Sequence, residues 1–316
     1  MHFVVVKSLF TFDLSTCNMI AEHYGEFAAL LVAVFWSVTA LSFEKASRQV
    51  GSLPVNIIRL ILGFIFLTIL TFFIRGVALP TDATAHNWIW LSVSGLIGFV
   101  LGDFFLFKSY TIIGSWFAML IMTLAPPIAA IFGWILLDEK LSFLAITGIT
   151  ITMAGIVIAM FQRDKENRRM KVNKPVKGLL YAFGGALGQA LGIVFSKYGM
   201  GEYDPFAATQ IRIITGIAGF ALLITILGKW NPVIEAVTDR GAMIPIGIGS
   251  FFGPCLGVSF SLLAIRYTST GIASTIMALV PIFIIPPSVW LFKHRITRQE
   301  IIGTIVSLAG VALFFL

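Results

Sequence analysis

The strongest constraint on this chain is a near-continuous succession of apolar runs, each about twenty residues long. A run of that length crosses the ~30 Å hydrocarbon core of a bilayer as an α-helix. The strands of a membrane barrel would be about half as long and would alternate in polarity. Inside hydrocarbon every backbone N–H and C=O needs a partner within the protein, and a helix supplies one segment by segment. Ten such spans are read from the sequence. The first five are Phe27–Phe43, Val55–Ile74, Trp88–Phe107, Ser115–Leu137 and Phe143–Phe161. The second five are Leu179–Phe195, Phe206–Leu227, Met243–Ile265, Ile272–Phe292 and Glu300–Leu316. Composition agrees: 58% of the 316 residues are hydrophobic and 12% are charged, against about 25% charged in soluble domains. The fold class is therefore an all-α integral membrane protein, with the lipid bilayer as its solvent.

The spans say the same thing twice. Gly98 to Ser142 holds a glycine-rich run, the pair Tyr110-Thr111, Gly114, a proline-interrupted apolar run and a charged turn. The same order returns in Gly249 to Thr297, with Tyr267-Thr268 and Gly271. Phe43-Glu44-Lys45 sits like Phe195-Ser196-Lys197, and Arg59 matches Arg212, each after a loop proline (Pro54, Pro205). Such self-similarity points to duplication. The chain divides into an N-terminal segment 1–25, a first repeat 26–161, a charged linker 162–177 and a second repeat 178–316. Five spans is an odd number, so the two repeats enter the membrane with opposite orientation. Inverted repeats are a common plan of secondary transporters.

The net charge of +7 is mostly local, since seven Lys/Arg and two acidic residues lie between Arg163 and Lys177. It carries no argument for nucleic acid as a partner. Counting Lys and Arg by membrane face gives fifteen on the linker side and five on the side of the termini. By the positive-inside rule this puts the linker in the cytoplasm and the termini outside. Cys17 and Cys255 are far apart and lack metal-ligand spacing, so neither a disulfide framework nor a metal site is expected. The first 25 residues lack a small-residue cleavage site, and Met19 is an alternative start.

Both halves resemble the EamA repeat of the drug/metabolite transporter superfamily. In the first half the matching residues are Gly102, Ala118, Pro126 and Asp138-Glu139-Lys140-Leu141-Ser142. In the second they are Gly253-Pro254, Gly257, Ala264, Ala273-Ser274, Pro281 and Ile296-Thr297. The resemblance implies a ten-helix exporter or exchanger of small metabolites, with a central cavity between the repeats. It departs at His294, which stands where the first copy has Glu139. It also implies cytoplasmic termini, against the charge count.

Few polar residues lie inside spans, and each has a functional and a structural reading. Asp103 reads as the only acidic residue well inside a span. A carboxylate there costs roughly 2.5–3.5 kcal/mol on insertion scales unless it meets a cavity or a partner. It reads as a proton or substrate-amine site, or as a group paired with Lys108. Arg59 and Arg212 could clamp a substrate carboxylate or phosphate from both sides of a cavity, or snorkel to the headgroups. Pro126, Pro127, Pro281 and Pro286 (with Pro287) break the hydrogen-bond ladders of the fourth and ninth spans. Corresponding interrupted helices point to a transporter's binding site, and these prolines are read as cavity wall or hinge. Trp36, Ser37, Thr39, Gln189 and Ser196 form polar or aromatic faces suited to a small zwitterion, although the glycines around Gln189 also suit close helix packing. Trp88, Trp90 and Trp230 read as an interfacial belt.

The function expected is that of a secondary active transporter of small metabolites such as amino acids, working by alternating access around a midplane cavity. The substrate-site candidates are Trp36, Ser37, Arg59, Asp103, Gln189 and Arg212. A passive channel and an exporter of nucleotide sugars or drug-like compounds are the alternatives. No enzyme and no cofactor is expected: HExxH and GxxxxGK[ST] are absent. Leu101-Gly102-Asp103 approaches the GxGD of intramembrane aspartyl proteases but has Val100 before it. The partners are a small-molecule substrate and, as a candidate coupling ion, protons; monomer and homodimer both stay open. The expected location is the plasma membrane, a bacterial inner membrane, crossed many times.

Overall fold

The apolar runs are helical, and most helices are longer than the runs that announce them. The computed structural model describes residues 23–137, 143–163, 170–172, 174–268, 273, 276–292 and 297–314. Cys17, Met19, the charged turn 138–142, Gly271, Ser274, His294 and Ile296 lie outside the described residues. In the first repeat the helices are α1 (Tyr24–Val50), α2 (Ser52–Arg75), α3 (Ala85–Gly95), α4 (Asp103–Ile113), α5 (Ser115–Met122), α6 (Ala125–Leu137) and α7 (Phe143–Met160). In the second they are α8 (Val176–Met200), α9 (Pro205–Leu227), α10 (Trp230–Thr238), α11 (Arg240–Ser250), α12 (Val258–Tyr267), α13 (Val280–Phe292) and α14 (Arg298–Phe314). Among the described residues seven helical stretches are long and apolar enough to cross a membrane, with shorter apolar helices beside them. The fold is all-α, ten spans in two inverted five-helix repeats. Two details go beyond the sequence reading. Short strands β1 (Phe161–Arg163) and β2 (Met170–Val172) pair antiparallel in the linker. Helix α10 fills what reads as a loop, tucking Val233 and Ala236 inward.

Two helix joints consist of a single glycine. Gly51 (φ 89°) joins α1 to α2, and Gly114 (φ 82°) joins α4 to α5. A side chain at such a φ clashes with its own backbone, so a joint in this conformation favours glycine. Elsewhere side chains cap the incoming helix. Asp239, between α10 and α11, accepts from the Gly241 and Ala242 amides. Asp204 accepts from the Phe206 and Ala207 amides ahead of α9, and Thr84 with Asn87 forms a capping box.

Two backbone irregularities occur in both repeats at matching places. A π-helical turn, Leu96–Gly102, joins α3 to α4, and its counterpart Phe251–Gly257 joins α11 to α12, about 155 residues further on. The Asp103 amide donates to Gly98 O, five residues back. One residue is thereby inserted into the helix, which rotates the faces of α4 relative to those of α3. The fourth span is interrupted at Thr123-Leu124 and the ninth at Ala278-Leu279. This corrects the sequence reading of the prolines. Pro126-Pro127 and Pro281 stand in the first turn of a restarted helix, where a missing N–H costs nothing. Of the prolines read as ladder breaks, Pro286 and Pro287 lie deeper inside a helix.

Glycines set the depth of packing between the third span and α8. A Cβ on Gly188 would come within 2.5 Å of Gly102 Cα, and one on Gly192 within 3.0 Å of Gly98 Cα. At the membrane face bearing the loops 76–84 and 201–204, polar groups tie the two repeats together. Arg75 Nη2 meets Asp82 at 2.6 Å and Arg75 Nε lies 3.6 Å from Asp204. The Tyr203 hydroxyl donates to Asp82 at 2.8 Å. That hydrogen bond holds the Asp82 carboxyl below its ordinary range, while burial and the same bond push the Tyr203 phenol up to about 12.

Candidate functional site

The helix interruptions and π-turns converge on one cavity between the repeats. It is partly open, and the non-protein space there, counted together with the solvent at its mouth, is about 920 Å³. The first repeat contributes Trp36, Thr39 and Phe43 from α1, Arg59 from α2 and Phe99 from its π-turn. Asp103, Phe107 and Tyr110 come from α4, with Met119, Met122, Thr123 and Pro126 around the break in the fourth span. The second repeat contributes Gln189 and Ile193 from α8, Gly253 and Pro254 from its π-turn, Val258 from α12, and Met277, Ala278, Val280 and Pro281 around the second break. The wall is mostly aromatic and aliphatic with a few convergent polar groups, the usual make-up of a small-molecule site.

At its polar end Arg59 Nη2 meets Asp103 Oδ2 at 2.5 Å. Both residues are buried, at 4% and 8% exposure. Asn56, one turn before Arg59, accepts from Arg59 Nε at 3.1 Å. Its amide donates to Ser52 O at 2.9 Å and Asp103 O at 3.4 Å. The guanidinium is framed by aromatic rings, 4.8 Å from the Phe107 centroid and 5.6 Å from Phe43. Cation–π contact of this kind replaces part of the lost hydration. The partner of Asp103 is thus Arg59, on another helix. Lys108, the sequence alternative, lies over the Phe104 ring instead. Neither arginine snorkels, because both guanidinia point into the protein.

Arg212 is placed differently from its counterpart. It is 3% exposed, it does not line the cavity, and it sits on the Phe99 ring at 4.8 Å. Arg59 lies 5.7 Å from the same ring. Among the described residues the Arg212 guanidinium has no hydrogen bond or ion pair, and its buried Nε is unsatisfied. Asp103 acts on it electrostatically, without contact.

Several sequence candidates leave the site. Ser37 is buried but bonds Ala33 O at 2.7 Å and Val280 O at 3.3 Å, tying α1 to the restarted ninth span. Ser196 bonds Ser94 Oγ at 2.7 Å and so joins α8 to α3. Pro127 and Pro286 do not line the cavity; Pro127 is buried beside it, and Pro286 faces outward. Gln189 does line it, while its neighbours Gly188 and Gly192 make the close helix contact. The cavity-lining and the close-packing positions of that stretch lie on different faces of one helix. Trp88 and Trp230 are exposed near span ends, whereas Trp90 stacks on Phe195 at 5.7 Å.

The sequence reading missed Asn56, Phe99, Phe107, Tyr110 and Glu44. Asn56 was detectable, lying three residues before Arg59 on the same helix face. The aromatics carried no signal, since an aromatic residue in a span faces lipid as readily as a cavity. Glu44 is 1% exposed. It accepts from the Ser115 amide at 2.7 Å, at the start of α5, and pairs with Arg48 at 2.8 Å. A carboxylate is favourable at a helix N-terminus, so Glu44 fixes the one-residue joint at Gly114.

Comparison with known proteins agrees with this architecture. The EamA-like transporter family model matches residues 23–161 and again 176–316. An uncharacterized transporter of Clostridium kluyveri is 20% identical over 287 residues, covering 90% of this chain and 91% of that protein. Human solute carrier family 35 member G1 is 23% identical over 71% of this chain and 61% of its own length. An uncharacterized transporter of Archaeoglobus fulgidus is 31% identical over 125 residues, 38% of this chain and 41% of that protein. A solved crystal structure with 18% identity superposes with a TM-score of 0.59, covering 93% of this chain and 96% of that one, and shares the fold. With the model matching each half in turn and nearly the whole chain covered, this multi-pass membrane protein belongs to the EamA-like transporter family.

Proposed function

We propose that the protein is a secondary active transporter that exports or exchanges small metabolites such as amino acids across the plasma membrane. The observation that carries this reading is the buried Arg59–Asp103 pair, set in a cavity that both interrupted helices line. A buried ion pair against an apolar wall offers a polar substrate head two charges of opposite sign, and its body a hydrophobic surface. The breaks at Thr123-Leu124 and Ala278-Leu279 stand at matching points of inverted repeats. In our reading they bend in turn, so that the cavity faces one side and then the other. Energy comes from a solute or proton gradient, with Asp103 as the group that would carry the proton.

The test is counterflow in proteoliposomes preloaded with amino acids, sugars or nucleosides, with and without a pH gradient. Saturable exchange that concentrates labelled solute is expected of a carrier. A flux that only equilibrates and does not saturate would instead make the protein a passive channel. Loss of the pH response in Asp103→Asn is expected if Asp103 carries the proton.

A further inference from the structure

Among the described residues, the charges at the polar end of the cavity do not sum to zero. Arg59, Arg212 and Asp103 are each more than nine-tenths buried, and together they carry one net positive charge. Glu44, also buried, is counted together with its half-exposed partner Arg48 as a neutral pair, which also accepts a hydrogen bond from the Ser115 amide. A buried cation is costly unless a counter-charge or good hydrogen bonds compensate it. Arg59 is compensated; Arg212 has no hydrogen bond or ion pair among the described residues. The two guanidinia share one ring, Phe99, which also lines the cavity. The cluster is short of one anion, and the space beside it is where an anion could arrive.

From this geometry we infer that the cavity takes a singly charged carboxylate with an apolar body, whose head supplies the counter-charge missing from the Arg59–Arg212–Asp103 cluster. The inference rests on the carrier reading above and moves its substrate from a zwitterionic amino acid to a monocarboxylate. A carboxylate can meet the Arg59 guanidinium, which lines the cavity, and its charge, felt by Arg212 across the Phe99 ring, brings the cluster to neutrality. A cation would raise the buried charge, and a dianionic phosphate ester would overshoot it. Phe43, Phe99, Phe107, Met119, Met122 and Met277 surround the rest of the ligand with ring and thioether surface. Such a lining favours an aromatic or branched aliphatic body over a sugar.

The test measures binding to the full chain in lipid nanodiscs near neutral pH, with four probes of similar shape. These are 3-phenylpropanoate (anion), phenylalanine (zwitterion), phenethylamine (cation) and phenyl phosphate (mostly dianion). The propanoate should bind at least about tenfold tighter than phenylalanine, a difference of ~1.4 kcal/mol, and the amine should bind weakest. Arg212→Met should weaken the propanoate by about tenfold or more while leaving thermal stability unchanged or raised, since it removes an uncompensated buried charge. A fall in stability on that substitution would mean that Arg212 is already compensated, and would overturn the inference. So would phenyl phosphate or the amine binding as tightly as the propanoate, or no propanoate binding by the folded protein. Counterflow of phenylalanine without counterflow of the propanoate would also overturn it and leave the carrier reading intact. Propanoate binding without counterflow of any solute would keep the anion site and overturn the carrier reading.

Discussion

The two repeats share their backbone irregularities and differ in chemistry. Each has a π-turn in its third span and an interruption in its fourth, at matching positions. Each has an arginine in its second span, buried against Phe99. The repeats diverge at the residue just after the π-turn: Asp103 in the first, Val258 in the second. They diverge again three residues before the arginine. Asn56 orients Arg59, while Thr209 bonds its own helix at Pro205 O and leaves Arg212 unheld. Shape and chemistry thus answer to separate demands. On the proposed mechanism, two-sided access needs both halves to bend alike, which would keep geometry in duplicate, while a single site in the middle would need its charges once.

The largest asymmetry between the repeats is the ion pair, and its removal should have the largest effect. Asp103→Ala strands a buried guanidinium, and breaking a buried pair costs roughly 3–5 kcal/mol. We expect a large drop in the thermal midpoint of the detergent-solubilised protein, together with loss of counterflow. The equivalent change in the second repeat, Val258→Ala, should cost only about 0.5–1.5 kcal/mol, as small apolar truncations do. A stricter test moves the carboxylate across the pseudo-symmetry, combining Asp103→Val with Val258→Asp. If Arg212 is the true counterpart of Arg59, the double variant should recover about 1–3 kcal/mol over Asp103→Val alone. No recovery in the same melting assay would show that the second arginine cannot serve a second-repeat acid.

The shared geometry makes weaker but paired predictions. Pro126→Ala and Pro281→Ala each remove the ring that keeps the helix from running on through the break, and should slow counterflow by similar factors, about threefold to tenfold. Strongly unequal factors would mean that only one break bends. The smallest effect belongs to the polar clasp at one membrane face. Tyr203→Phe removes a partly exposed hydrogen bond, so its cost should be below ~1 kcal/mol. The direction of each shift gives the pH dependence. Asp82 is held below its ordinary range, so its contribution is present above about pH 4 and is lost as pH falls through the depressed value. Tyr203 is raised to about 12, so its contribution is complete below about pH 10 and fades as pH climbs toward 12. Proteolysis at the 76–84 loop across that range, compared with Tyr203→Phe, reads both limbs.

Much of the fold was legible because lipid forbids alternatives. A twenty-residue apolar run has to be a helix, since nothing else satisfies its backbone in hydrocarbon. The polar exceptions, Asp103, Arg59 and Gln189, stand out for the same reason, and all three reach the cavity. Individual roles were less legible. Ser37 and Ser196 look like pocket hydroxyls, yet both direct their hydrogen bonds to neighbouring helices. Pro286 looks equivalent to Pro281 but stands more than a turn away, on the outer surface.

By itself the sequence determined that this is a membrane protein of ten helices, built twice and inverted, with charge where charge is expensive. Those conclusions rest on local rules of length, polarity and repetition. Only the tertiary structure decided that Asp103 answers to Arg59 rather than Lys108, that Arg212 lies behind Phe99 with no partner among the described residues, and which aromatic residues face the cavity. In a soluble helix the polar side marks the outside and the apolar side the core. In these spans lipid and cavity wall are both apolar, so no periodicity distinguishes them. Pairing across helices is set by packing of glycines such as Gly102 and Gly188, at distances that no single segment encodes.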